Sequence, residues 1–168
     1  MISTPLLYNG VALLEVNMTA FDGISMKNWE FIVDTGATRT TIPRMVLVDV
    51  LKFTDDYIQR NKVLLTEKEK PMLANGKRAD VYKFKAPRMN IGGHEIKSDY
   101  ILTSDSVFSL NSLLGLDILS YFNFSFNFDA IDENSPHGRM FYEFRQSRIK
   151  PYTTLDEPYA YNLSESQE

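Results

Sequence analysis

The residues best suited to chemistry in this 168-residue chain lie in Phe31-Ile32-Val33-Asp34-Thr35-Gly36-Ala37. An aspartate follows an apolar run and precedes a small hydroxyl residue and a glycine. The apolar run would plant the Asp34 carboxylate in a partly desolvated place. Gly36 would permit a tight turn, and Thr35 could hydrogen-bond locally or across an interface. A lone carboxylate there does little. Two carboxylates held close together can share one proton, because both cannot ionise cheaply. The protonated one can donate to a carbonyl oxygen while the ionised one takes a proton from an attacking water. Such a pair hydrolyses an amide bond without a metal or a covalent nucleophile.

Other residues invite plainer readings. Asp34 itself could be a helix cap or turn residue. Asp117 follows Leu113-Leu114-Gly115-Leu116 but lacks a following Thr-Gly. It is read as the N-cap of a short helix through Ile118, Leu119, Ser120 and Tyr121, and as a candidate substrate or interface contact. His94 and His137 sit beside glycines in turn-like sequence, and no His/Asp/Glu cluster has metal-ligand spacing, so neither metal nor cofactor is expected. Ser3, Ser98 and the other serines have no Gly-x-Ser-x-Gly setting. Trp29 reads as core.

The elements that must position Asp34 read mainly as strands. Leu6 to Met18 is rich in Leu and Val, with a turn signal at Asn9-Gly10. Asp22-Gly23 marks another turn, and Trp29 to Val33 then runs into Asp34, which is a hairpin pattern. Pro43 suits a first helical turn. Met45, Val46, Val48, Val50 and Leu51 fit helical spacing only loosely. Thr54 could cap a second short helix. Lys62 to Lys70 is charged and reads as exposed. Ala74-Asn75-Gly76 is a hairpin-turn signal, with a strand at Val81 to Phe84. Met89 to Ile96 reads as a hairpin turning at Gly92-Gly93, which Tyr100-Ile101-Leu102 would continue. Phe122, Phe124, Phe126 and Phe128 alternate with polar residues, so all four rings should share one face of a strand. Met140 to Phe144 would pair with it. Residues 1–150 are expected to form one domain, with a helical insert at about 45–70 and a polar tail at 151–168.

Bulk composition excludes some classes. Hydrophobic residues make up 43% and cysteines are absent, so the chain should fold around an ordinary core without disulfides. A net charge of −4 argues against nucleic-acid binding. No run approaches the ~20 apolar residues of a membrane span, and the N-terminus lacks a signal-peptide pattern. A cytoplasmic protein with no membrane partner is expected.

Together these segments carry a resemblance. Phe31 to Thr38 resembles the catalytic loop of retropepsin-like aspartic proteases. Leu113-Leu114-Gly115-Leu116-Asp117-Ile118-Leu119 is similar to that family's second signature, two apolar residues and a glycine opening a helix. Met89 to Ile96 is similar to its internal hairpin. The resemblance spans roughly Pro5 to Phe144 and is nearest to single-domain bacterial members. It implies a mostly β, closed acid-protease barrel with two or three short helices, and an aspartic endopeptidase with Asp34 catalytic. Thr35, Gly36, Ala37 and Thr38 would support the loop, and Leu113, Leu114, Gly115 and Asp117 would supply the second signature. The chain holds one Asp-Thr-Gly, so the resemblance implies a symmetric homodimer, with Thr35 bonding across the axis and Met1 to Leu7 or Phe122 to Phe144 in the interface. A flap would fold over a peptide or protein substrate, its tip at Ala74, Asn75 and Gly76, although the usual glycine-rich tip is missing. One cleft wall would be Ser106-Val107-Phe108-Ser109. Ala37 offers the carboxylate no hydroxyl donor, so a mildly acidic to neutral optimum is expected. The alternative is a non-catalytic retropepsin-fold dimerisation or peptide-binding module.

Overall fold

Strands β2 (Leu13–Thr19) and β3 (Met26–Val33) form the hairpin expected ahead of Asp34. It closes where Asp22 Oδ1 accepts from the Ile24 and Ser25 amides and Gly23 takes φ +74°. Along β2, Leu14, Val16 and Met18 are buried at every second position, which packs one face of the hairpin into the core. The structure, a computed structural model, describes residues 1–7, 10–106 and 111–145.

Strands β6 (Met89–Ile91), β7 (His94–Ile96) and β9 (Leu113–Leu114) complete a five-stranded sheet in the order β7-β6-β2-β3-β9. The β6–β7 hairpin turns at Gly92 and Gly93, both at positive φ, as expected. Strand β9 runs parallel to β3, pairing Ile32 with Leu113 and Val33 with Leu114. A parallel pair needs a long crossover, and the whole stretch 34–112 lies between these two strands.

A second sheet has the order β4-β5-β8, from β4 (Val63–Leu64), β5 (Tyr82–Lys85) and β8 (Tyr100–Thr103). Here the structure corrects one expectation. Tyr100-Ile101-Leu102 does not continue the Met89 to Ile96 hairpin but pairs antiparallel with β5. All four residues of β8 are buried, so the strand needs cover on both faces. Thr41 bridges to Leu102 on β8 and to Leu113 on β9, joining the two sheets.

Two short helical pieces lie between 46 and 61, separated by residues 51–54. Residues Val46–Val50 form a π-helical turn, which explains the loose spacing, and Val46, Leu47 and Leu51 are fully buried. Helix α1 (Asp55–Asn61) is capped as expected, with Thr54 Oγ1 accepting from the Tyr57 amide at 3.1 Å.

The remaining sheet has the order β1-β11-β10, from β1 (Ile2–Pro5), β10 (Phe122–Asn127) and β11 (Arg139–Phe144), all antiparallel. The phenylalanine alternation holds only in part. The ladder ends at Asn127 opposite Arg139, and Phe128 lies beyond it. Phe122 is buried and Phe124 half-buried, whereas Phe126 and Phe128 stack on each other at 6.3 Å and are exposed. Trp29 is half-buried, its Nε1 donating to Ser112 Oγ at 2.9 Å.

The architecture is mostly β with short helices. Its main core includes Phe31, Ile42, Leu47, Phe84 and Leu114, and a satellite cluster holds Ala79, Val81, Tyr100 and Leu102. Among the described residues no helix is long and apolar enough to cross a membrane. The expected tail at 151–168, and Asn9 of the expected turn, lie outside the described residues.

Candidate active site

Asp34 follows directly on β3. Its amide donates to Leu114 O at 3.0 Å, its carbonyl accepts from the Ala37 amide at 3.2 Å, and its Oδ1 accepts from the Gly36 amide at 2.9 Å. The side chain is half-buried, while Thr35, Gly36 and Thr38 are exposed. Gly36 has no left-handed backbone, so the reason expected for a glycine does not apply. A β-carbon there would lie 3.2 Å from Asp34 Oδ1, a tight contact with the end of that side chain.

The loop is clasped from behind by the segment at β9 and helix α2 (Leu116–Leu119). Thr41 and Leu113 exchange both backbone hydrogen bonds, Leu116 N donates to Ala37 O, and Asp117 N donates to Thr38 O. A β-carbon on Gly115 would meet backbone atoms of Ala37 and Arg39 at 2.6–2.8 Å. The glycine of the second signature is therefore where the Asp34 loop rests.

Asp117 is not the helix cap. Gly115 occupies the N-cap position, and Asp117 lies inside the first turn, fully buried. Its Oδ1 accepts from the Thr40 amide at 3.0 Å, Thr40 Oγ1 at 2.8 Å and the Ile118 amide at 3.0 Å. Thr40 Oγ1 in turn accepts from the Gly115 amide. An exposed cap would leave Thr40 without this acceptor in the core, which is why the carboxylate turns inward. Burial pushes the Asp117 carboxyl above the ordinary carboxylate range, against the pull of the Thr40 donors and of Arg39, 4.0 Å away.

Asp34 opens onto a cleft of about 740 Å³. Gly36, Ala37, Thr38 and Leu113 line it on the Asp34 side, and Leu65, Pro71, Met72, Leu73 and Ala74 line it from the segment expected to cover it. Thr35, Asn75 and Gly76 do not line the cleft. Asn75 and Gly76 form the turn, with Gly76 at φ +80° and Asn75 Oδ1 accepting from the Lys77 amide. Its arms are joined by a single β-bridge, Met72 to Arg78, in place of a strand ladder. Val107 and Phe108, proposed as a cleft wall, lie outside the described residues. Sequence reasoning missed Arg39, Lys83 and Tyr100, which also line the cleft. Strand alternation puts Lys83 on the opposite side of β5 from Tyr82 and Phe84, and nothing in the sequence signals that this side is covered too.

An acidic hub steadies the stretch beside the cleft. Asp105 accepts from Tyr82 Oη at 2.8 Å, Gln59 Nε2 at 2.9 Å and Lys62 Nζ at 3.2 Å, tying α1 to the end of β8. Burial alone would raise this carboxyl, but these donors hold it below its ordinary range, while burial and the Asp105 bond push the Tyr82 phenol well up.

No family model and no curated protein matches the sequence. Among solved structures, the chain is similar to a retropepsin-like aspartic protease from Rickettsia conorii, with TM-score 0.50 and 20% identity over 83% of this chain and 86% of that one. At this identity the likeness is one of fold: a retropepsin-like chain topology, as the two sequence signatures implied.

Proposed function

We propose that the chain is an aspartic endopeptidase whose working unit is a homodimer, with Asp34 of each copy contributing one carboxylate. The observation that carries this reading is the clasp between the Asp34 loop and Gly115. It fixes an aspartate just after β3, in the lining of a cleft of about 740 Å³. The chain supplies only one such loop, and a two-fold axis supplies the second.

In that unit the two carboxylates share a proton. The ionised oxygen takes a proton from a water held between them, and the water oxygen attacks the scissile carbonyl carbon. The protonated carboxyl donates to the carbonyl oxygen as it becomes tetrahedral. The amine then leaves with a proton returned from the pair. The Gly36 amide, 2.9 Å from Oδ1, keeps Asp34 oriented through these steps. Apolar Met72, Leu73 and Pro71 would exclude water from above.

Cleavage of a peptide library by the wild type and by Asp34→Asn tests the reading. The variant should remain a dimer and lose at least 10²–10⁴-fold in activity, the range of general acid–base catalysis. Undiminished cleavage would end it. A dimer that binds peptides without cutting them would point to the binding-module alternative, which the sparsely paired arms of the Ala74-Asn75-Gly76 turn favour.

A further inference from the structure

The stretch from Leu65 to Val81 contributes Leu65, Met72, Leu73 and Val81 among others to the lining of the cleft. Among the described residues, the side-chain and turn hydrogen bonds of 66–81 stay inside that stretch. Thr66 O accepts from the Glu69 and Lys70 amides, and Lys70 O accepts from Arg78 Nη1. The ion pairs of Lys70, with Glu67 and Asp80, are internal as well. Outward contact is apolar: Ala79 and Val81 pack with Tyr100 and Leu102, and Leu65 lies against them. Apolar packing carries no direction, so direction must come from the two ends. Lys62 leads into β4 at one end and Tyr82 opens β5 at the other, and these strands pair Val63 with Lys83 and Leu64 with Tyr82. Asp105 holds both ends at once. It accepts from Tyr82 Oη at 2.8 Å and from Lys62 Nζ at 3.2 Å, with Gln59 Nε2 at 2.9 Å and Arg44 Nε 3.8 Å away. Lys62 Nζ also lies 5.1 Å from the Tyr82 ring centroid, which closes the triangle. Hydrogen bonds to an ionised carboxylate are the strong, directional kind.

We infer that Asp105 is a positioning residue, pinning both ends of the 65–81 stretch through Lys62 and Tyr82 and so setting how that stretch meets a ligand in the cleft. Asp105 does not line the cleft itself, so it acts through those two partners. A stretch pinned before the ligand arrives has less freedom to lose on binding, which favours affinity. The pinning stands on the contacts alone. Its effect on peptide affinity rests on the peptidase reading, because that reading brings peptide to the cleft.

Backbone hydrogen exchange of the full chain, read by mass spectrometry, tests the pinning. In Asp105→Ala the amides of 66–81 should exchange about tenfold faster or more, while those of the β2–β3 hairpin keep the wild-type rate. Tyr82→Phe, which removes a single oxygen, should move the same amides less, and adding it to Asp105→Ala should add little. In peptide cleavage, Asp105→Ala should raise KM about threefold or more, with kcat within about twofold of wild type. Wild-type exchange across 66–81 in Asp105→Ala, or faster exchange spread evenly over the chain, overturns the inference. So does local acceleration with an unchanged KM, because the pinning would then not reach the ligand. If Asp105→Ala does not fold, Tyr82→Phe decides alone, and wild-type exchange in that variant overturns the pinning. If the wild type cuts no peptide, the peptidase reading fails while the exchange comparison still upholds or overturns the pinning.

Discussion

Gly115 and Ala37 are packed so closely that a β-carbon on the glycine would lie 2.8 Å from the Ala37 carbonyl oxygen and 2.6 Å from the carbonyl carbon of Arg39. The backbone of Gly115 is ordinary extended chain, φ −93° and ψ −175°, so any residue could adopt it. Only the space is missing. Gly115→Ala should therefore cost about 1–3 kcal/mol from overpacking and push the Asp34 loop off its seat. Thermal unfolding and peptide cleavage should both register the change. Unaltered stability with unaltered cleavage would mean that the clasp yields freely and does not hold Asp34.

The carboxylate of Asp117 gives a prediction with a sign. Burial raises its folded-state pKa above the ordinary carboxylate value of about 3.9. The folded chain therefore holds that proton more tightly than the unfolded chain does. Stability from this group is fully present below the unfolded pKa and declines as pH rises through the folded one. Asn at this position keeps an acceptor for Thr40 and has no such titration. The stability of Asp117→Asn relative to wild type should therefore increase as pH rises from 4 to 7 in denaturant titrations. A difference that moves the other way would show that the Thr40 donors outweigh burial. Asp117→Ala, which leaves Thr40 N, Thr40 Oγ1 and Ile118 N without their acceptor, should cost about 2–3 kcal/mol at pH 4, and this cost should shrink as pH rises.

Thr54 offers a control at a residue that does not line the cleft. Its hydroxyl caps α1, and Thr54→Ala should lower stability by about 1 kcal/mol. Cleavage per folded molecule should not change. A fall in cleavage larger than the loss of folded protein would tie α1 to the site.

The proposed dimer predicts that activity depends on concentration. With each copy supplying one Asp34, specific activity should fall on dilution as the dimer dissociates. Activity measured across a thousandfold range of protein, beside sedimentation at the same concentrations, checks this. Constant specific activity in a monomeric sample would rule out a shared site.

Much of the site was legible in the sequence because its constraints are local. An apolar strand ending in Asp34-Thr35-Gly36 and an apolar pair ending in Gly115 each announce themselves within a few residues. So do the Gly92-Gly93 turn and the Thr54 cap. What escaped depends on contacts between distant segments. Asp117 looks like a cap until Thr40 is brought against it from the other side of the crossover. Tyr100 to Leu102 looks like an extension of the nearest hairpin, and only burial on both faces places it against β5. Phe126 and Phe128 continue an alternation whose ladder ends at Asn127. Lys83 reads as an ordinary lysine in a strand, and its place beside Tyr100 follows from the pairing of β5 with β8.

The separation of the two Asp34 carboxylates across a dimer axis tests the central claim most directly. In a crystal structure of the assembled protein, the account predicts a two-fold axis passing between the Asp34 loops, with carboxylate oxygens within hydrogen-bond reach, about 2.5–3.0 Å apart. Asp34 side chains on separate faces of a dimer, or a monomer that cuts peptides, would contradict it.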